Sequence, residues 1–111
     1  MSKLSKKRCI PCEGGVEPLN PDQTEVLLKE LDVDWMLIDQ HRMLARTFNF
    51  KDFAQSLAFA NKVGAIAEEE NHHPDLTVGW GYVGVELTTH AIQGLSENDF
   101  IVAAKIDEIK I

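Results

Sequence analysis

Cysteine is scarce in this chain of 111 residues, with only Cys9 and Cys12 present. Two cysteines so close together cannot build a disulfide framework. A paired zinc knuckle would need a second Cys-x-x-Cys, and none occurs. A thioredoxin-like motif would open a helix after a strand, but Pro11, Gly14 and Gly15 surround this pair. The bland reading is a reduced thiol pair in a cytosolic loop. No apolar run approaches the roughly 18 residues of a membrane span. The basic start is not followed by the apolar stretch of a signal peptide. A soluble, cytoplasmic protein is expected, without membrane attachment. The glycines form neither a P-loop nor a dinucleotide fingerprint, and no Ser or Cys nucleophile has an obvious base beside it.

Positive charge is also sparse. Lys3, Lys6, Lys7 and Arg8 hold the start, and the remaining residues carry 7 basic against 18 acidic groups. Nucleic-acid binding relies on Lys and Arg neutralising phosphates, so direct contact with nucleic acid is not expected. A short basic arm on an acidic body reads as a solvated, mobile terminus. The length suits one domain over 1–111, with 1–19 as an N-terminal arm or loop.

What is present is a regular order of elements. Asn20-Pro21-Asp22-Gln23 is a helix start, with a capping residue, a proline for the first helical position and a glutamine that can reach back. That helix should run over about 21–31. Trp35–Ile38 and Met43–Phe50 predict two strands around the polar turn Asp39–Arg42, the second alternating between its two faces. Residues 51–70 predict a long helix with a stripe of Phe53, Leu57, Ala60, Gly64 and Ala67, expected to be core. It ends on Glu68-Glu69-Glu70, against the helix macrodipole. A conflict of that kind hints at a functional reason. Leu76–Trp80 and Tyr82–Thr88 predict two more strands. Ser96 and Asp99 resemble a capping box that opens a last helix over about 97–110. The order α-β-β-α-β-β-α predicts an α+β fold with a four-stranded, mostly antiparallel sheet and three helices on one face.

The chemistry concentrates in histidine. His72 and His73 precede the second hairpin, and His90 follows it. A hairpin carries the chain out and back, so the loops before and after it meet at one sheet edge. Three imidazoles with Glu68 and Asp99 nearby can transfer protons near neutral pH. Three histidines can also hold zinc with an open position for water, although adjacent His side chains in an extended loop tend to diverge. Both readings stand on the residues alone.

The spacing Glu68-x-x-x-His72-His73-Pro74, five residues to Trp80, nine more to His90 and eight more to Asp99 resembles the pterin-4a-carbinolamine dehydratase family. Thr88-Thr89-His90, Gly94-Leu95-Ser96-Glu97-x-Asp99 and the Cys9–Gly15 segment resemble it as well, so the likeness covers nearly the whole chain. Leu76 departs from relatives that carry Trp there. The resemblance implies dehydration of a 4a-hydroxytetrahydropterin to quinonoid dihydropterin and water. This recycles the tetrahydropterin (tetrahydrobiopterin-type) cofactor of an aromatic amino acid hydroxylase. It implies His72 and His90 as acids and His73 as a pterin-binding group that assists proton removal. Backbone at Pro74, Thr89 and Ala91 would frame the ring, while Glu68 or Asp99 would orient an imidazole. No metal or other cofactor is implied. Self-association as dimer or tetramer is, together with a hydroxylase or a transcriptional regulator as possible partner. The alternative is a regulatory protein-binding module, with or without dehydratase activity.

Overall fold

The computed structural model describes residues 4–10 and 17–110. Cys12, with the rest of 11–16, lies outside the described residues. The elements are α1 (Pro21–Leu28), β1 (Met36–Ile38), β2 (Met43–Asn49), α2 (Phe53–Glu70), β3 (Asp75–Gly79), β4 (Tyr82–Leu87) and α3 (Glu97–Asp107), with short 3-10 turns at Leu4–Lys6 and His90–Ile92. The order expected from the sequence is present, in an α+β architecture with an open antiparallel sheet.

The sheet order is β1-β2-β4-β3, and every pairing is antiparallel. Alternation sorts the two faces. Leu44, Phe48, Val83, Val85 and Leu87 are buried, whereas Thr47, Asn49, Tyr82 and Glu86 on the opposite face are exposed. The buried face packs with α2 and α3 into one core that includes Phe59, Val63, Phe100, Ile101 and Ile106. Gly81 sits at φ +84 in the β3–β4 turn, a conformation that costs a residue with a Cβ more than it costs glycine.

Helix α1 is shorter than expected. It keeps its capping box, with Gln23 N–H donating to Asn20 Oδ1 at 2.8 Å and Asn20 N–H to Gln23 Oε1 at 2.9 Å. It stops at Leu28, and Leu31 joins the core from the following turn. Helix α2 is rotated from the expected stripe. Its inner face is Ser56, Phe59, Ala60, Val63, Ala67 and Glu70, while Phe53 and Leu57 are exposed. Phe59 and Val63 fill the space over the sheet, with the Phe59 ring tilted against Phe48 at 4.5 Å and Phe50 at 5.0 Å between centroids. That turns Phe53 and Leu57, on the next row of the helix surface, outward.

Residues 4–10 differ most from expectation, because they are docked rather than mobile. Leu4 is buried in the core. Lys7 pairs with Glu97 at 2.9 Å and Arg8 with Glu70 at 3.2 Å. Lys7 and Arg8 thus meet acidic side chains of α3 and α2, which the sequence order of charges does not disclose.

At the far end of α3, Asp107 gathers three parts of the chain. It accepts from Asp32 N–H at 3.0 Å, Trp35 Nε1 at 2.7 Å and Arg46 Nη1 at 2.8 Å. Burial raises its carboxyl above the ordinary value, against the lowering by Asp32 N–H, Trp35 and Arg46. Arg46 also lies over the Phe48 ring at 4.1 Å. Replacing Asp107 with Ala removes the shared acceptor, and urea denaturation should show a loss of about 2–3 kcal/mol.

Candidate active site

Helix α2 closes on Asn71, which takes the left-handed conformation at φ 52 and caps Ala67 O. Asn tolerates that conformation better than most residues. The chain turns there, and His72 and His73 leave in different directions. Nε2 of His72 lies 2.6 Å from Asp99 Oδ1. Nε2 of His73 meets Glu68 Oε2, one turn back on α2. Carboxylates accept and do not donate, so each Nε2 carries a proton and each Nδ1 is left over for another partner. The environments differ: the His72 side chain is 12% exposed and that of His73 52%.

Asp99 is fully buried, and its second oxygen is also occupied. Oδ2 accepts from Ser96 N–H at 2.9 Å and from Thr89 Oγ1–H at 2.7 Å. Because the single Thr89 proton goes to Asp99, Ser96 Oγ–H donates to Thr89 Oγ1 at 2.8 Å. The capping carboxylate of α3 is thus also the partner of His72. Helix capping and imidazole orientation are one structural feature.

His90 opens the 3-10 turn that follows β4, and Gln93 at φ 55 ends that turn. Gly94 closes it, pairing with Thr89 through Thr89 N–H to Gly94 O at 2.9 Å. A Cβ on Gly94 would stand 2.6 Å from the Pro18 ring, so this crossing needs glycine.

One cleft of about 410 Å³ is lined by His72, His73, Thr88, Thr89, His90 and Ala91, with Ile10, Asn71 and Asn98 completing it. The three expected imidazoles therefore share one cleft, and Thr89 and Ala91 line it too. Asp99 lies behind His72, and Glu68 stands beside His73 rather than in the lining. Pro74 directs the chain from His73 into β3 without lining the cleft. Trp80 lies at the opposite end of the hairpin, and Leu76 packs against the core. Ile10, Asn71 and Asn98 were missed by sequence reasoning. For Asn98 the signal was its place beside Asp99 in the cap of α3. For Ile10 it was its place between Cys9 and Cys12.

The donor set bears on metal binding. Both Nε2 atoms of the adjacent histidines already face carboxylates. Among the described residues, no group of three or more His, Cys, Asp and Glu is placed to hold a metal ion. Cys9 is a free, half-buried thiol; burial, with the Glu70 carboxylate beside it, pushes it up to about 12. Such a thiol is a poor nucleophile at neutral pH. No helix among the described residues is long and apolar enough to cross a membrane.

The sequence profile of the family described as pterin 4 alpha carbinolamine dehydratase matches residues 17–109. A Rubrobacter xylanophilus protein, provisionally named a pterin-4-alpha-carbinolamine dehydratase, is 47% identical over 98% of this chain and 100% of its own length. A Rickettsia bellii protein of the same provisional name is 53% identical over 94% of this chain and 91% of its own. The crystal structure of a transcriptional coactivator/pterin dehydratase from Brucella melitensis superposes with a TM-score of 0.75 at 31% identity, covering 81% of this chain and 95% of that one. A pterin dehydratase-like protein identified as a RuBisCO assembly factor in the alpha-carboxysome gives 0.57 at 29% identity, covering 67% and 86%.

Proposed function

The chain belongs to the pterin 4 alpha carbinolamine dehydratase family, and from that premise we propose that it dehydrates a 4a-hydroxytetrahydropterin to the quinonoid dihydropterin. The observation that supports this reading is the convergence of His72, His73 and His90 on one cleft, with carboxylates behind two of them. Its volume lies in the range of small-molecule sites, about 300–1,000 Å³, and a bicyclic ring is compatible with it.

The chemistry asks little more than proton transfer. The C4a–O bond breaks as the N5 lone pair forms the C4a=N5 bond. The hydroxyl leaves as water after taking one proton, and the N5 proton passes to a base. His72, protonated at both nitrogens, donates from Nδ1 to the leaving oxygen, while Asp99 at its Nε2 stabilises the imidazolium. His90 serves as the acid on the opposite ring face. His73, oriented by Glu68, binds the pterin and assists removal of the N5 proton. Backbone at His73-Pro74 and Thr89–Ala91 frames the ring edge. General acid–base catalysis of this kind supplies about 10²–10⁴-fold, a useful factor for a substrate that already expels water spontaneously. The reading needs no metal or further cofactor. It makes the chain one domain whose cytoplasmic role is to return tetrahydropterin to an aromatic amino acid hydroxylase. Absorbance at the quinonoid band, followed with and without the protein, tests it: acceleration over the spontaneous rate is expected, and an unchanged rate defeats it.

One observation favours a second, compatible reading as a protein-binding module. Phe53 and Leu57 on α2 are 46% and 45% exposed beside exposed Ala54 and Ala58. This apolar row suits self-association as dimer or tetramer, or a regulatory partner. Light scattering should find an oligomer that the Phe53→Asp, Leu57→Asp double variant reduces to a smaller species. A wild-type protein monomeric at micromolar concentration would remove the self-association reading.

A further inference from the structure

The segment from Arg8 to Ile10 is held by polar contacts that the dehydration scheme does not use. Glu70, on the last turn of α2, is almost wholly buried, with its side chain 1% exposed. Its Oε1 accepts the Cys9 N–H at 2.8 Å, and Arg8 and Lys105 approach Oε2 at 3.2 and 3.5 Å. Lys105 in turn donates to Ser5 O at 2.9 Å. Burial alone would raise the Glu70 carboxyl, but the Cys9 N–H, Lys105 and Arg8 outweigh it, and the group stays below its ordinary value. One residue further on, the buried side chain of Asn98 grips both backbone groups of Ile10. Asn98 Oδ1 accepts the Ile10 N–H at 3.1 Å, and Nδ2 donates to Ile10 O at 2.6 Å.

Each anchor lies just before one member of the His72–Asp99 pair in sequence. Glu70 is two residues before His72, and Asn98 is the residue before Asp99. What they hold in place is an isoleucine that lines the histidine cleft with 72% of its surface exposed. A single exposed apolar side chain needs no explanation. One whose backbone is fixed at both its N–H and its carbonyl, at the edge of a site for a flat heterocycle, is a preformed apolar wall.

We infer that Ile10 is a substrate-contact residue whose side chain packs on the pterin ring, and that Glu70 is a positioning residue acting through the Arg8–Ile10 strap. The inference rests on the dehydratase reading and adds to it the groove's preference for a planar ring with an apolar face. Fixing the wall before substrate arrives spares the ordering cost of closing a loop on binding. The contact is made with substrate and transition state alike, so it governs binding rather than the chemical step.

The test uses the whole chain, with 7,8-dihydropterin as the binding probe and a 4a-hydroxytetrahydropterin as substrate. Ile10→Ala should weaken dihydropterin binding about five-fold, as expected for losing part of one apolar side chain's burial. KM should rise with kcat kept, and Ile10→Asp should bind more weakly still. Glu70→Ala should speed amide hydrogen exchange at Cys9 and Ile10. It should also raise KM by roughly the factor by which the docked strap population falls. Glu70→Gln, which keeps an acceptor for the Cys9 N–H, should recover most of both. A wild-type protein that binds and dehydrates pterin, matched in KM and affinity by Ile10→Ala and Ile10→Asp, overturns the inference and leaves the dehydratase reading standing. A wild-type protein that neither binds dihydropterin nor accelerates dehydration overturns both.

Discussion

The double variant His72→Ala, His90→Ala should lose about 10²–10⁴-fold in carbinolamine turnover, the share that general acid–base catalysis contributes, while remaining folded. The two positions differ in structural cost. His90 is exposed, and its truncation should leave stability nearly unchanged. His72 donates to buried Asp99 at 2.6 Å, so its truncation leaves one carboxylate oxygen without that donor and should cost about 1–3 kcal/mol. Circular dichroism and a denaturant titration separate this cost from the catalytic loss. With one acid for each ring face, each single variant should keep turnover of one 4a epimer from a racemic substrate, and the pair should lose both. A folded double variant that works at the wild-type rate would end the assignment of these imidazoles as the acids.

The parts of this site that could be read from sequence are those governed by local rules. Period-two alternation separates Leu44 and Phe48 from Thr47 and Asn49, and Val83, Val85 and Leu87 from Tyr82 and Glu86, because a strand's side chains have only two faces to choose between. Hairpin geometry then brings the two His-bearing loops to one edge. The acids that end α2 show why a local conflict is informative. Glu68 is held by His73, and Glu70 by the backbone of Cys9 with Arg8 and Lys105 around it. Two of three residues that oppose the helix dipole are there for contacts beyond the helix. The rotation of α2 could not be read, because a wide stripe of Phe, Leu and small residues is compatible with more than one facing. Which row turns inward is settled by Phe59 meeting Phe48 and Phe50, a contact between distant parts of the chain. The docking of residues 4–10 was hidden for the same reason. Its partners, Glu70, Glu97, Asn98 and Lys105, lie 60 or more positions away in the sequence.

Asp99 is the position where stability and catalysis should separate most clearly. Its carboxylate receives the Ser96 N–H, the Thr89 hydroxyl and His72 at once, with no exposure to water. Asp99→Ala deletes the acceptor for all three. Loss of a helix cap costs about 1 kcal/mol, and each buried donor left unpaired about 1–3 kcal/mol, so a destabilisation of about 3 kcal/mol or more is expected in urea. Activity lost in that variant would not by itself distinguish a catalytic role from a structural one. Asp99→Asn makes the distinction. The amide is nearly isosteric, and its oxygen can still accept from Ser96 and Thr89, so most of the stability should remain. Its nitrogen now faces His72 Nε2, and an N–H donor there favours the imidazole tautomer protonated on Nδ1. The negative charge that stabilises the imidazolium is gone as well. The variant should therefore fold, show the changed tautomer in the nitrogen chemical shifts of His72, and lose about 10²-fold or more in kcat, within the range for acid–base catalysis. Wild-type kcat with an unchanged pH profile in a folded Asp99→Asn protein would reduce Asp99 to a helix cap and leave the His72 imidazolium without its proposed stabilising partner.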